Sequence, residues 1–310
     1  MLSRVAASLY WLSRYIERSD GVLRMLKINY ASSQDAINEF SWASVISIYS
    51  TIDEERLEKI EYDGRQVLQY MVVDKSNPCS IINLITQARE NARSVQDHIT
   101  NDLWQCLNEY YLIIRDPALL KALKKDDPIS VLDSLIKQIM LYYGIAEVTM
   151  ARGEGRSFMS IGKYLERSIQ SADLLHIKFG SLDHNPDLLT NSSYWKHLLQ
   201  SLGGYELYLK TFRQGFEVEN ILEQVVLNVD FPRSVIYSIN NISRHFEKLK
   251  SDNYINDNRE LSFMLGRLQS RVKYSSVKSI SLEGLNFLTS IKNDLYQVGN
   301  SFHSTYFLHA

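Results

Sequence analysis

Two glutamate-arginine steps, Glu17-Arg18 and Glu166-Arg167, are the residues of this chain that are best suited to chemistry. Each step lies in a segment whose apolar residues recur every three or four positions, which predicts a helix buried around most of its circumference. Charges in such a helix are costly unless they are paired. Because adjacent helical side chains point about 100° apart, neither glutamate pairs well with the arginine that follows it. Each charge therefore needs a partner from elsewhere.

Two hypotheses account for these buried charges. In the structural hypothesis, a pseudo-twofold axis brings the two helices together, so that Glu17 reaches Arg167 and Glu166 reaches Arg18. In the ligand hypothesis, the four charges line a cavity between two halves of the protein, and the arginines bind a carboxylate or phosphate through paired hydrogen bonds. The usual behaviour of buried charges favours the structural hypothesis.

A second charged group lies in the segment QARENARSVQDHI, where Arg89, Glu90 and Arg93 follow one another within five residues. Arg89 and Arg93 are four positions apart and share one helical face, so they repel each other unless an acidic group lies between them. An anion or a carboxylate from another helix would resolve the repulsion. A solvated face on which Glu90 makes local ion pairs explains the same pattern.

Other reactive patterns are weak. Gly153, Gly155 and Arg156 precede the second glutamate-arginine helix, where a bend is the simpler use of two glycines than an anion site. Asp173 and His176 are spaced for a helical metal site with Glu166, but the first copy carries Arg24 and Lys27 at the matching positions, so we expect no metal and no cofactor.

No pattern for nucleophilic catalysis is visible in the sequence. The histidines form no HExxH, no serine lies in GxSxG, and the two cysteines, Cys79 and Cys106, are not spaced as CxxC. Two cysteines without such a motif are typical of a protein in a reducing compartment. We therefore expect a cytoplasmic protein.

The chain repeats itself at an interval of about 150 residues. The segment around Glu17 aligns without gaps with the segment around Glu166, and residues 67–81 align with 221–235. Two landmarks in the same order predict a tandem duplication, with one helical repeat over 1–149 and a second over 150–310. Because no Pro- or Ser-rich linker separates them, we expect the repeats to pack as one pseudo-twofold body.

The spacing of apolar residues and the scarcity of glycine and proline, at 13 and 5 residues, predict an all-α multi-helix bundle. Leu9, Leu12, Ile16, Leu23 and Leu26 form one apolar face. About six helices are expected in each half. The predicted helices cover 3–31, 35–52, 58–73, 79–98, 101–125 and 128–149, then 155–179, 192–213, 217–228, 233–251, 257–277 and 280–306.

Charge and hydropathy exclude some classes of partner. Lysine and arginine total 34 against 36 acidic residues, which gives a formal net charge of −2, and no segment concentrates five or six basic residues. This balance gives no reason to expect nucleic acid or an anionic membrane as a partner. The sequence also suggests neither a signal peptide nor a membrane-spanning segment.

Three ordered motifs resemble the Alpha-E family, a bacterial all-helical family named for its glutamate-arginine motif and found as a tandem duplication. They are MLSRVAASLYWLSRYIERSD, NPCSIINLITQARENARSVQDHITNDLWQCLN and ARGEGRSFMSIGKYLERS. The resemblance covers essentially the whole chain. In the second of these motifs, the residues that match the family include Asn91, Trp104 and Asn108 in addition to Arg89, Glu90 and Arg93. The resemblance therefore adds Asn91 to the candidate site residues. Arg156 departs from the aromatic residue usual at its position.

The resemblance implies context more than chemistry. Family members are typically encoded beside circularly permuted ATP-grasp proteins, transglutaminase-like proteins and proteasome-like hydrolases, which implies a system that makes or modifies a peptide. The leading hypothesis is a non-catalytic partner that recognises the ATP-grasp enzyme or a carboxylate or peptide ligand in a charged cleft between the repeats. The alternative is an enzyme acting on an amino-acid or peptide substrate, with Glu17 or Glu166 as general base and an arginine clamp. A purely structural scaffold is the third hypothesis.

Overall fold

The computed structural model describes residues 1–34, 40–50, 52–213, 215–252 and 259–307, and these residues form sixteen α-helices and no strand. The helices are α1 Ser3–Gln34, α2 Ala43–Tyr49, α3 Glu54–Ile60, α4 Gly64–Val72, α5 Ile81–Ser94, α6 Asn101–Arg115, α7 Pro117–Lys125, α8 Pro128–Thr149, α9 Glu154–His184, α10 Ser192–Ser201, α11 Tyr205–Thr211, α12 Val218–Leu222, α13 Val235–Asp252, α14 Arg259–Lys273, α15 Val277–Glu283 and α16 Leu285–Tyr306. The all-α prediction is confirmed.

The prediction of about six helices per half is wrong, because several predicted helices are interrupted by capped breaks. The predicted helix 58–73 is divided into α3 and α4 at Asp63, whose carboxylate accepts hydrogen bonds from the backbone N–H groups that begin α4. The predicted helix 101–125 ends at Asp116, which caps α7 in the same way, and Pro117 occupies the first turn of α7. These short polar caps end one helix and start the next within a few residues.

Two further breaks depend on glycine. Gly203 and Gly284 have positive φ angles of 64° and 51°, a conformation that other residues rarely adopt. Gly203 ends the first part of the predicted helix 192–213, and Gly284 separates α15 from α16. Within the predicted helix 35–52, α2 is the helical part of the described residues; residues 40–42, 50 and 52 are not helical, and residues 35–39 and 51 lie outside the described residues.

The helices form two compact units. The N-terminal unit comprises Trp11–Ala151, and the C-terminal unit comprises Met1–Tyr10 together with Arg152–Ala310. In the N-terminal unit α6 packs against α5, α7 and α8, while α4 packs against α7. In the C-terminal unit α9 packs against α13 and α16, and α14 packs against both of those helices. That the chain contains two copies of one module, packed as one body, stays a prediction.

The apolar faces that the sequence predicts are buried. On α1 the predicted face is fully buried, and on α9 the corresponding residues Phe158, Ile161, Leu165, Ala172 and Leu175 are buried as well. Such side chains each contribute roughly 1.5–3 kcal/mol when they leave water. The two long helices therefore stabilise the fold along most of their length, and this fixes where their charged residues lie.

In the described part of the chain, one helix, α8, has the length and composition of a helix that could cross a bilayer, with a mean hydropathy of 1.2 over its most apolar window. The expectation that the chain has no membrane-spanning segment stays a prediction, because this test concerns length and composition alone. A helix in the core of a helical bundle has the same length and composition. The packing of α8 against α6 and α7 is of this kind. The carboxylate of Asp133 on α8 forms an ion pair with the ammonium group of Lys27 on α1 at 2.6 Å.

Gly162 marks a close approach of two backbones in the C-terminal unit. A Cβ atom built on this residue of α9 would lie 2.3 Å from the carbonyl oxygen of Tyr10, near the start of α1. Only a residue without a side chain allows the two helices to approach this closely. The tyrosine carbonyl belongs to a helical backbone, so it cannot rotate away from an added methyl group.

We therefore expect Gly162→Ala to destabilise the protein by about 1–3 kcal/mol, the usual cost of overpacking a rigid contact. Gly180→Ala is the matched control on the same helix, because a Cβ atom there meets nothing within 4 Å. Alanine at this open position should raise stability by about 0.5–1 kcal/mol. Chemical denaturation measures both changes, and equal effects of the two substitutions would show that the α1–α9 contact is not tight.

Candidate functional site

The first glutamate-arginine step lies at the middle of α1, where Glu17 is fully buried and Arg18 is half-buried. The Glu17 carboxylate accepts a hydrogen bond from the hydroxyl of Tyr143 on α8. A buried carboxylate loses most of its hydration, and a phenol that donates to it restores part of that energy. Tyr143 is 126 residues away in the chain, so no local pattern in the sequence points to it.

Asp20, one turn after Glu17, is a second fully buried carboxylate of α1. Arg24, one turn further along the helix, donates from Nε to both Asp20 oxygens at 3.0 and 3.1 Å. An ion pair at this spacing holds the charge within the helix itself. Arg24 also lies 3.7 Å from the sulfur of Met140 on α8. The buried polar row of α1 therefore faces α8 and is bound to it at several points.

The second step lies on α9, where Glu166 is buried and Arg167 is half-buried. The Arg167 guanidinium donates to the carbonyl oxygen of Pro232 at 3.3 Å and lies 5.6 Å from the ring centroid of Tyr164. Ser171, one turn further along α9, donates to the carbonyl oxygen of Arg233 at 2.7 Å. This helix therefore binds the carbonyl groups of the turn that precedes α13.

Asp173 and His176, the residues considered for a metal site, lie on α9 beside α16. Lys292 of α16 pairs with Asp173 at 2.6 Å, and Nδ1 of His176 is 3.5 Å from the hydroxyl of Thr289. Burial raises the pKa of Asp173, and the Glu166 carboxylate adds to this effect, although Lys292 partly opposes both. Among the described residues, no group of three histidine, cysteine or acidic side chains is placed to hold a metal ion.

The central charged group is held locally on α5. Glu90 accepts from Arg89 at 2.8 Å through one oxygen and lies 3.4 Å from Arg93 through the other. It therefore separates the two arginines, whose like charges would otherwise repel each other. Asn91 is not part of this pairing, because its side chain donates to the carbonyl oxygen of Gln87 on the same helix.

Arg89 is also fixed by α6. Its Nε atom donates to Asn108 at 2.9 Å, and its guanidinium lies 4.5 Å from the ring centroid of Tyr111 and 5.3 Å from that of Trp104. Stacking on two rings holds the plane of the guanidinium. Arg93, by contrast, is 63% exposed. The group thus presents one rigid arginine and one that extends into solvent.

A basic cluster lies where α9 faces α13, and the sequence did not indicate it. Burial lowers the pKa of His245 to about 4, and the positive charges of Arg244, Arg156, Lys163 and Lys248 add to this effect. The Nδ1 atom of His245 is buried and has no hydrogen-bond partner among the described residues. Lys248 donates to the backbone carbonyl of Arg152. The cations come from two helices far apart in the chain, so no run of basic residues marks the cluster.

The lowered pKa of His245 predicts a loss of stability in acid. The folded protein keeps this imidazole neutral down to about pH 4, whereas the unfolded chain protonates it below about pH 6.5. Stability should therefore fall as the pH decreases through this interval, and His245→Gln should make the fall smaller. Urea titrations at several pH values measure it, with His98→Gln, an exposed histidine, as control. Equal pH profiles for the wild type and His245→Gln would contradict the assignment.

Comparison with known proteins identifies the family. A family model described as a predicted alpha-helical domain with a conserved ER motif, the Alpha-E domain, matches residues 1–307. An uncharacterised protein of Mycobacterium bovis and one of Mycobacterium tuberculosis are each 22% identical over 270 residues, which is 80% of this chain but 29% of theirs. The chain thus spans under a third of the length of these relatives. No solved structure matches. The protein belongs to the Alpha-E family.

Proposed function

We propose that this protein is a non-catalytic binding protein that works with a separate enzyme. The observation that carries the proposal is the length of the mycobacterial relatives, in which the matched region is 29% of a longer chain. A domain that is joined to another sequence in one protein commonly binds the equivalent separate chain in another. The remaining part of the relatives thus suggests that a partner exists.

The geometry of the buried carboxylates of α1 supports binding over catalysis. Glu17 is buried and already accepts a hydrogen bond from Tyr143, while Asp20 is paired with Arg24. A general base needs a carboxylate that can reach a substrate proton. Side chains held in this way are better suited to fixing the position of α1 than to proton transfer.

The family resemblance supplies the proposed partner, a circularly permuted ATP-grasp protein, with a transglutaminase-like protein as a second component. The system would act on a peptide in the bacterial cytoplasm. The exposed Arg93 and the rigid Arg89 form a suitable contact for a carboxylate, either of a peptide or of the partner enzyme. Neither nucleic acid nor a membrane is part of this proposal.

The order of helices supports a tandem duplication as part of the proposal. A helix of 32 residues begins the first half and one of 31 residues begins the second, and each half ends with a helix of 22 residues. Within the described residues, six shorter helices lie between the long ones in each half. One module copied once would produce this succession.

A second candidate function, an enzyme acting on an amino-acid or peptide substrate, is favoured by Asp173. Its raised pKa, caused first by burial and then by Glu166, is a property of carboxyl groups that transfer protons. The nearby Lys292 would hold a substrate carboxylate once Asp173 is protonated. This candidate moves the acid-base role from the glutamates of the motif to a residue two turns along α9.

Co-purification with the ATP-grasp protein of the same bacterium tests the proposed function. We expect a complex of the two proteins on size-exclusion chromatography. We expect the double variant Arg89→Gln with Arg93→Gln to bind the ATP-grasp protein about tenfold more weakly or worse, because two charge-assisted contacts are lost. The double variant Lys121→Gln with Lys125→Gln removes the same charge from exposed positions of α7 and serves as the control. Affinity is measured by biolayer interferometry.

The absence of any complex would contradict the binding proposal. Turnover of amino acids or peptides by the purified chain alone, lost in Asp173→Asn, would establish the enzymatic candidate in its place.

A further inference from the structure

A cleft in the N-terminal unit lies apart from the glutamate-arginine helices and from the Arg89 group. It is formed by α3, α4, α7 and the turn that follows α4, and it has a volume of about 280 Å³. This volume is near the lower end of the range of small-molecule sites in proteins, roughly 300–1,000 Å³. The cleft therefore suits a ligand with the size of one or two amino-acid residues.

One wall of the cleft is a preorganised ion pair. Arg56 donates to the Asp74 carboxylate and, through Nη1, to the hydroxyl of Ser76 at 2.7 Å. Its guanidinium lies 4.6 Å from the ring centroid of Tyr70, whose hydroxyl is 3.0 Å from that of Ser50. These contacts fix the wall before any ligand binds, which lowers the entropic cost of binding.

The charge of Asp74 is already compensated within this wall. Its carboxylate accepts from the backbone N–H and the hydroxyl of Ser76 at 2.8 and 2.7 Å, in addition to the Arg56 contact. Burial raises its pKa, but the hydrogen bonds from Ser76 and the charge of Arg56 outweigh burial, and the pKa is lowered overall. Asp74 therefore stays ionised and cancels Arg56, and it has little capacity left for a ligand ammonium group.

Lys124 supplies a positive charge that is not cancelled. It lies near the end of α7, where lysines often neutralise the terminal carbonyl groups of the helix. Here Arg65 performs that task, because its Nη1 atom donates to the carbonyl oxygens of Leu123 and Lys124 at 3.1 and 2.8 Å. The Lys124 ammonium has no ion-pair partner among the described residues. Because Asp74 cancels the charge of Arg56, the residues that line the cleft carry one net positive charge, that of Lys124.

Two carboxamides add hydrogen-bond acceptors. The amide nitrogen of Gln66 donates to Asp63 at 2.8 Å, and that of Gln69 donates to the carbonyl oxygen of Arg65 at 3.2 Å. Each nitrogen uses one of its two N–H groups in this contact, which holds the side chain in place and leaves its oxygen available as an acceptor. Oxygens of this kind bind N–H donors such as those of a peptide backbone.

The remaining lining is apolar and includes Ile60, Val73 and Leu120. We propose that this cleft binds the carboxyl-terminal end of a short peptide. The carboxylate pairs with Lys124, a backbone N–H group donates to a glutamine oxygen, and an apolar side chain packs against Leu120. This inference does not depend on the proposed enzyme partner, because the cleft shares no residue with the groups invoked there.

Ligand-observed NMR titration of the full chain tests the proposal with N-acetyl-L-alanyl-L-leucine. The acetyl group removes the ammonium, so that only the carboxylate carries charge. We expect millimolar or tighter binding, a dissociation constant at least about tenfold higher for the carboxamide of the same peptide, and the same loss for Lys124→Gln with the acid. Lys125→Gln, its neighbour outside the cleft, should bind the acid within about twofold of the wild type.

Three results would overturn the inference. The first is absence of binding at about 10 mM peptide. The second is equal affinity for the acid and the carboxamide, or for Lys124→Gln and Lys125→Gln. The third is binding of acetate as tight as that of the peptide, which would reduce the cleft to a simple anion site. Circular dichroism of each variant shows whether it is folded, and Gln69→Leu gives an independent test of the N–H contact, with an expected loss of several-fold.

Discussion

The burial of carboxylates along α1 is the constraint on which the rest of the N-terminal unit depends. Glu17 and Asp20 are fully buried, and the desolvation of each costs several kcal/mol unless hydrogen bonds replace the lost water. Tyr143 of α8 and Arg24 of α1 supply such bonds. Because Tyr143 donates only in one rotation and register of α8, the burial of Glu17 specifies how these two helices pack.

This constraint shapes the functional interpretation. Buried carboxylates already engaged with a phenol or an arginine are poor candidates for proton transfer, whereas exposed groups held on rigid helices are suited to recognition. The Arg89 group and the cleft beside Lys124 have that character, since each combines fixed contacts with a charge open to solvent. In the proposed function, the protein is a helical framework whose inner charges position outer binding surfaces.

Much of the fold follows from the sequence, because helical periodicity is a local signal. The apolar faces of α1 and α9 are buried as predicted, and α1, α8 and α9 begin within a residue of the expected positions, whereas α16 begins at Leu285 instead of residue 280. The predicted helix count is too low, since breaks such as Asp116-Pro117 and Gly284 interrupt apolar patterns that continue on both sides. Tyr143, Lys292 and the cations around His245 were not foreseen, because their partners are distant in the chain and depend on tertiary packing.

A double-mutant cycle on Glu17 and Tyr143 tests the central claim most directly. Stability is measured for Glu17→Gln, Tyr143→Phe, the double variant and the wild type, with Tyr110→Phe as a control, since the Tyr110 hydroxyl is buried without a hydrogen-bond partner among the described residues. A hydrogen bond to a buried charge predicts a coupling energy of about 1.5–3 kcal/mol and little or no loss in the control. Additivity of the two changes within about 0.5 kcal/mol would contradict the account.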